Sequence, residues 1–425
     1  MPSARLPDGL RALGRGRRPR ALSVGVATLL PLVGVVALGW NAAALMTLYW
    51  FELGIASGWA LVRALFAGRP SELDRDGLIV GPLAERRVGL TIPRTDVQVR
   101  LSSLLVLPVA APILGVVWLV VGVVTVGVTA DGGLSQEALD TVALATIAVF
   151  VGEGATTVVE YFGRGEHRDH SAQTAIRGVF ARGAAIFLGA LFTVTTVAAG
   201  TLDGDAPISA LDPDAIGLPL LLGVVAAKFA FDLAGLYGDR LAAFDESAAL
   251  DLGFSYDPPP TEPVDGSLAE PVATVRQPRR ARLLGALTTP FGHPGLWYVG
   301  GGIALVGLLF ALGENWPTTL AFFAAAVAVP LGLAAVDHEL RHGLVEYRAG
   351  DDALVARDRL FGVPLWRVEA WEETGLRVRR TGLDRRLDTE TVVIALRDDE
   401  LRIPGLVDPE PVLDVFDRRP DRPDE

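Results

Sequence analysis

The feature that most constrains this chain is an alternation. About eight long apolar segments are separated by loops that are, in turn, arginine-rich and free of Lys and Arg. A span needs roughly 20 apolar residues to cross about 30 Å of hydrocarbon, and cytoplasmic loops accumulate positive charge. The pattern predicts an α-helical polytopic membrane bundle and a side for each loop.

The spans are expected at Ala21–Gly39 and Asn41–Phe66, joined by Gly39-Trp40-Asn41, then at Ser102–Val128, Asp140–Phe162, Gly183–Gly200 and Ile216–Tyr237. Two more, Gly295–Leu312 and Trp316–Val336, follow a linker containing Pro258-Pro259-Pro260. Pro31 is expected to kink the first span. The loop Ala67–Leu101 carries Arg69, Arg75, Arg86, Arg87, Arg94 and Arg100. Arg164, Arg168, Arg177 and Arg182 follow the fourth span, and the linker closes with Arg276, Arg279, Arg280 and Arg282. The intervening stretches, Thr129–Leu139 and the one holding Asp203, Asp205, Asp212 and Asp214, contain acids and no base. All basic loops therefore share one side, which puts both termini in the cytoplasm of a cell-membrane protein. Arginines at 11, 15, 17, 18 and 20 precede the first apolar run, but a second run follows at once. The reading is an uncleaved first span, not a signal peptide.

The domains are then a basic cytoplasmic amino terminus (1–20), a six-span domain (21–237), a Pro-rich cytoplasmic linker (238–283), a two-span hairpin (284–342), a cytoplasmic domain (343–419) and a tail (420–425). Half the residues are apolar, yet the net charge is −12, so the acids concentrate outside the membrane. There is no Cys, which excludes disulfides and thiolate metal sites. Lys228 is the single lysine among 38 basic residues. An acid-rich exterior keeps proteins hydrated in concentrated salt, and together these features point to a haloarchaeal source. No uniformly basic face invites nucleic acid as a partner.

From about Gly343 the pattern turns from helical to alternating. Strands are expected at Leu344–Arg348, Ala353–Arg357, Leu365–Val368, Leu376–Arg379, Thr391–Leu396 and Leu401–Ile403. A helix is expected at Pro409–Asp417, with Asp408 as N-cap and Pro409 at its first position. Six or seven strands and a helix suggest a small half-open β-barrel plugged by the helix. Glu346-Tyr347-Arg348, Leu354–Arg359, the turn Gly382–Leu387 before Thr391–Ile394, and Gly405–Glu410 resemble the bacterial pleckstrin-homology-like domain. That resemblance implies a cytoplasmic barrel at a membrane, without catalysis. Because acids outnumber arginines here, a docking or self-association module is expected over a lipid-headgroup binder. Gly39-Trp40-Asn41 with Tyr49–Glu52 resembles an uncharacterised haloarchaeal multi-span family; no activity comes with it.

Four ionisable residues fall within spans: Glu52, Glu153, Lys228 and Asp232. Glu52, Glu153 and Lys228 each lie roughly 15–20 Å from the outer ends, near the bilayer centre. A charge there costs at least about 2.5–3.5 kcal/mol, so Lys228 needs a carboxylate partner. Either the group forms an ion or proton path through spans two, four and six, or it is an ion-pair cluster fixing helix register.

His338-Glu339-Leu340-Arg341-His342 fits H-E-x-x-H, the zinc-protease pattern with Glu339 as general base. His167 and His170 form a second pair, flanked by Glu166 and Asp169. No histidine follows His342, so a third zinc ligand would have to be a carboxylate such as Glu346. The leading expectation is a non-enzymatic membrane scaffold or sensor, without cofactor, whose cytoplasmic domain docks a protein partner or a second copy. The alternatives are an ion or small-solute transporter using the midplane charges, and a zinc-dependent membrane protease.

Overall fold

The computed structural model describes residues 33, 35, 41–129, 133–201, 212–237, 263–270, 272–285, 294–397 and 400–416. Apart from residues 33 and 35, the first expected span with Pro31 lies outside the described residues, as do Trp40, the acids Asp203 and Asp205, and the prolines at 258–260.

In chain order, helix α1 (Ala42–Leu65) starts at Asn41, whose side chain accepts from the Ala44 amide at 3.0 Å. Short α2 (Val80–Glu85) and strands β1 (Gly89–Thr91) and β2 (Gln98–Arg100) follow in the loop. Next come α3 (Leu101–Thr129) and α4 (Gln136–Thr156), the latter capped by Ser135 and continued as a π-helix over Thr157–Phe162. Then come α5 (Ala172–Thr201) and α6 (Pro213–Leu236). Beyond the linker lie β3 (Ala273–Val275), α7 (Arg279–Gly285), α8 (Pro294–Leu312) and α9 (Trp316–His338), which ends in a π-turn over Glu339–Gly343. The carboxyl-terminal elements are β4 (Val345–Ala349), β5 (Ala353–Asp358), β6 (Pro364–Glu369), β7 (Gly375–Arg379), α10 (Gly382–Leu387), β8 (Glu390–Ala395), β9 (Glu400–Leu406) and α11 (Glu410–Leu413).

Among the described residues seven helices are long and apolar enough to cross a membrane. Their apolar side chains face outward: only 11% of the α3 window is buried, which a soluble core helix could not tolerate. The protein is therefore a multi-pass membrane protein. One boundary moves. The fifth span was expected from Gly183, with Arg177 and Arg182 in the loop before it, whereas α5 already begins at Ala172 and carries both arginines. The hydropathy criterion stops at a charge; the backbone hydrogen-bond ladder does not.

Contacts divide the chain into two compact units. The first comprises residues up to Ser71, Thr91–Val99 and Val106–Pro260. Its core joins Met46, Tyr49 and Leu53 of α1 to Val121 of α3, Ile186 and Ala190 of α5, and Leu220, Leu221 and Val224 of α6. Trp50 and Trp118 stack with ring centroids 4.7 Å apart and planes 6° apart. Each indole N–H donates to the other residue's carbonyl oxygen, at 2.8 and 2.9 Å. Each ring lies over a glycine one turn along the facing helix. A Cβ at Gly122 would sit 2.5 Å from Trp50 Nε1, and one at Gly54 2.7 Å from Trp118 Nε1. Glycine is what lets the two backbones approach this closely.

The second unit comprises Glu72–Leu90, Arg100–Leu105 and Thr261–Glu425. The six strands expected after Gly343 are all present, and a seventh, β3, comes from the linker and pairs antiparallel with β4. They do not close. A four-stranded sheet (β3-β4-β5-β6) and a three-stranded sheet (β7-β8-β9) remain separate and open, which corrects the half-open barrel. Their inner faces share one core, with Leu354, Val392, Ile394, Ile403, Leu406 and Val412 fully buried. Gly382–Leu387 is a helical turn capped by Thr381, whose side chain accepts from the Asp384 amide at 3.1 Å. The final helix is shorter than expected, and Asp408 accepts from the Glu410 amide at 3.2 Å.

The loop 72–90 is embedded in this second unit. Arg86, 1% exposed, donates from Nε to Asp358 Oδ1 at 2.8 Å and from its terminal nitrogens to the Pro82 and Leu340 carbonyls. Asp358 is fully buried at the end of β5 and also accepts from the Phe361 amide. A second clamp lies nearby. Asp337, near the end of α9, accepts from the Ile79 amide at 2.7 Å and pairs with Arg341 at 2.9 Å. Arg341 in turn donates to the carbonyls of Arg75 and Gly77. Ile79 holds φ at 61°, an outlier for a β-branched residue that only such a surround can maintain.

Candidate functional site

The intramembrane charges are positioned by three helices of the first unit. Glu52 sits two residues after Trp50 on α1 and faces α5 and α6. Lys228 of α6 donates to both Glu52 oxygens at 2.9 Å, and Arg182 of α5 donates to Oε1 at 2.6 Å. The three side chains are between 13% and 21% exposed, so the network is largely shielded. Lys228 Nζ also lies 4.8 Å from the Tyr49 ring centroid, a cation–π contact that further offsets its desolvation. One carboxylate is thus held by two cations.

Of the four residues singled out from sequence, the structure brings Glu52 and Lys228 together. The Glu153 side chain on α4 makes no hydrogen bond or ion pair among the described residues, and neither does that of Asp232; the Glu153 carbonyl accepts from the Thr157 amide in the helix. Asp232 instead lines a cavity of about 320 Å³ whose wall also includes Arg63, Thr157, Glu166, His170 and Arg182. Arg182 was hidden from sequence reasoning because it was counted as a loop base. Its position three turns into α5 is the signal that exposes it.

The paired histidines do not behave alike. His167 is 1% exposed; its Nδ1 lies 3.1 Å from the Tyr161 carbonyl and its Nε2 3.7 Å from Asp96, which is also engaged by Arg168. His170 Nδ1 lies 3.3 Å from Thr174 Oγ1. Burial holds the His170 imidazole below its usual range, so the ring is neutral at pH 7.

In the second unit, His338 and His342 lie on successive turns with ring centroids 5.1 Å apart. His338 packs against α7, where a Cβ at Gly285 would meet its ring at 2.5 Å. Glu339, the would-be general base, is engaged by Arg282 of α7. Glu346 faces Arg276 at 2.8 Å and Arg348 at 2.7 Å. Burial raises its carboxyl pKa, but these two guanidiniums outweigh burial and hold it below the usual range. Among the described residues no group of three or more His, Asp or Glu side chains converges as a metal site.

Residues 10–249 match DUF6498, a family of unknown function, over more than half of the chain. The chain belongs to that family. No curated protein and no solved structure matches it. The DUF6498 segment contains Glu52, Glu153, Lys228, Asp232, His167 and His170, together with Arg86 and the cavity. The H-E-x-x-H pentapeptide and all strands of the two larger sheets fall beyond it.

Proposed function

We propose that this DUF6498 protein is a non-enzymatic membrane scaffold or sensor whose cytoplasmic domain grips the loop joining its own α1 and α3. The observation that carries the reading is the buried Arg86–Asp358 pair. An arginine that is 1% exposed and hydrogen-bonded to a carboxylate and two carbonyls is a docking contact, not a charge left in a loop to orient a span. Seven strands in two sheets followed by a helix support the pleckstrin-homology-like resemblance, and with it a docking role. A short connection also supports it: α9 passes through one π-turn and Leu344 directly into β4, so movement of one bears on the other.

The neutralisation of Glu52 by two cations supports a register-fixing role for the midplane charges over an ion path. The Glu339–Arg282 pair supports a structural role for the pentapeptide as a polar cap that ties α7 to α9. The basic loops support placing both termini in the cytoplasm of the cell membrane, and the single lysine and acidic exterior support a haloarchaeal source.

Limited trypsin digestion of the full chain in open membrane fragments tests the docking. Residues 72–90 resist cleavage in the parent protein, and Arg86→Gln opens the neighbouring Arg75 and Arg87 to cutting. Equal cleavage in both proteins overturns the reading.

A further inference from the structure

The cavity of the first unit carries a reading that goes beyond docking and does not depend on it. Its wall is formed by the carboxyl-terminal ends of α1 and α6, the π-helix and the first turns of α5. At about 320 Å³ it is at the small end of ligand pockets. π-Helical insertions are frequent at functional sites, and this one contributes Thr157, Glu160 and Tyr161 to the wall. Thr157 is 1% exposed, and its hydroxyl has no hydrogen-bond partner among the described residues. The buried Nε groups of Arg63 and Arg182 are in the same state. A buried polar group without a partner costs about 1–3 kcal/mol, so several on one cavity point to something that pairs with them.

The charges say what. Arg182 is engaged by Glu52, and Glu160 by Arg164 at 2.9 Å. His170 is neutral. Among the described residues, three charged groups of the wall make no ion pair and no side-chain hydrogen bond: one cation, Arg63, and two anions, Glu166 and Asp232. From this juxtaposition we infer that the cavity binds a small basic amino acid, a molecule with one carboxylate and two cationic groups. Its carboxylate is taken by Arg63, and its ammonium groups by Asp232 and Glu166. The Thr157 hydroxyl completes the hydrogen bonding.

Isothermal titration of the detergent-purified full chain with free amino acids tests this. L-lysine binds, L-alanine binds about tenfold more weakly for want of one cationic group, and L-glutamate does not bind. Asp232→Asn and Glu166→Gln each weaken lysine binding by about tenfold or more. Glu166 lies outside the spans, so the second variant preserves the reading should the first not fold. Three outcomes overturn it: no lysine binding to the parent protein, equal affinity for lysine and glutamate, or lysine affinity unchanged in the folded variants. Binding of phosphoethanolamine in place of lysine also overturns it, by assigning the cavity to a lipid headgroup.

Discussion

At position 86 a guanidinium that is 1% exposed meets a carboxylate that is not exposed at all. Removing one partner leaves the other charge buried without compensation, at a cost of about 3–5 kcal/mol. Arg86→Met is therefore expected to lower the stability of the detergent-purified protein by that order. The double variant Arg86→Met/Asp358→Asn should recover at least about 1 kcal/mol, because the residues are coupled. Thermal or denaturant melts of the four proteins give the cycle, and strict additivity would sink the pairing. None of this was legible in the sequence. Arg86 stood in a row of six loop arginines, all equivalent under a rule that counts charge by side. What distinguishes it is Asp358, and a partner so far along the chain leaves no local pattern. Glu52 and Lys228 were legible, because charges in hydrocarbon demand partners. Arg182 was not, since it stood at the edge of an apolar run.

Among the elements, α1 and α3 show how a short spacing encodes a contact. In both, a tryptophan is followed four residues later by a glycine, and each ring covers the other helix's glycine. A methyl at Gly122 would collide with the Trp50 indole, whereas one at Gly115 on the same helix meets nothing within 4 Å. Gly122→Ala is expected to destabilise by roughly 1–3 kcal/mol through overpacking, and to weaken the near-ultraviolet circular dichroism of the stacked indoles. Gly115→Ala should be neutral or slightly stabilising. Identical behaviour of the two variants would refute the contact. Sequence reading could not name the neighbour of Gly122. It did locate all six strands after Gly343, because alternation is a local signal. It missed β3, whose three residues are too few for a period and are recruited by pairing with β4. The barrel was a fair guess from strand count, yet closure depends on pairing between the outermost strands, which no strand announces by itself.

For the whole molecule, the proposed placement of both termini in the cytoplasm has a direct test. A fluorescent protein that folds only in the cytoplasm, fused to either end, should be bright in both fusions, and protease added to sealed right-side-out vesicles should spare both. One dark fusion would break the assignment. Membrane character was legible because hydrocarbon acts on every residue of a span alike. The assignment of loop 72–90 to the second unit was not, because it rests on a few side chains. That loop has a consequence for how the protein is made. Arg86 precedes Asp358 by 272 positions, and the family segment ends at residue 249. On the ribosome, the spans of that segment are complete and inserted well before the carboxylate that closes their loop has been translated. Until then Arg86 has only water to bond to in place of that carboxylate, so the loop takes its final place after the spans it connects.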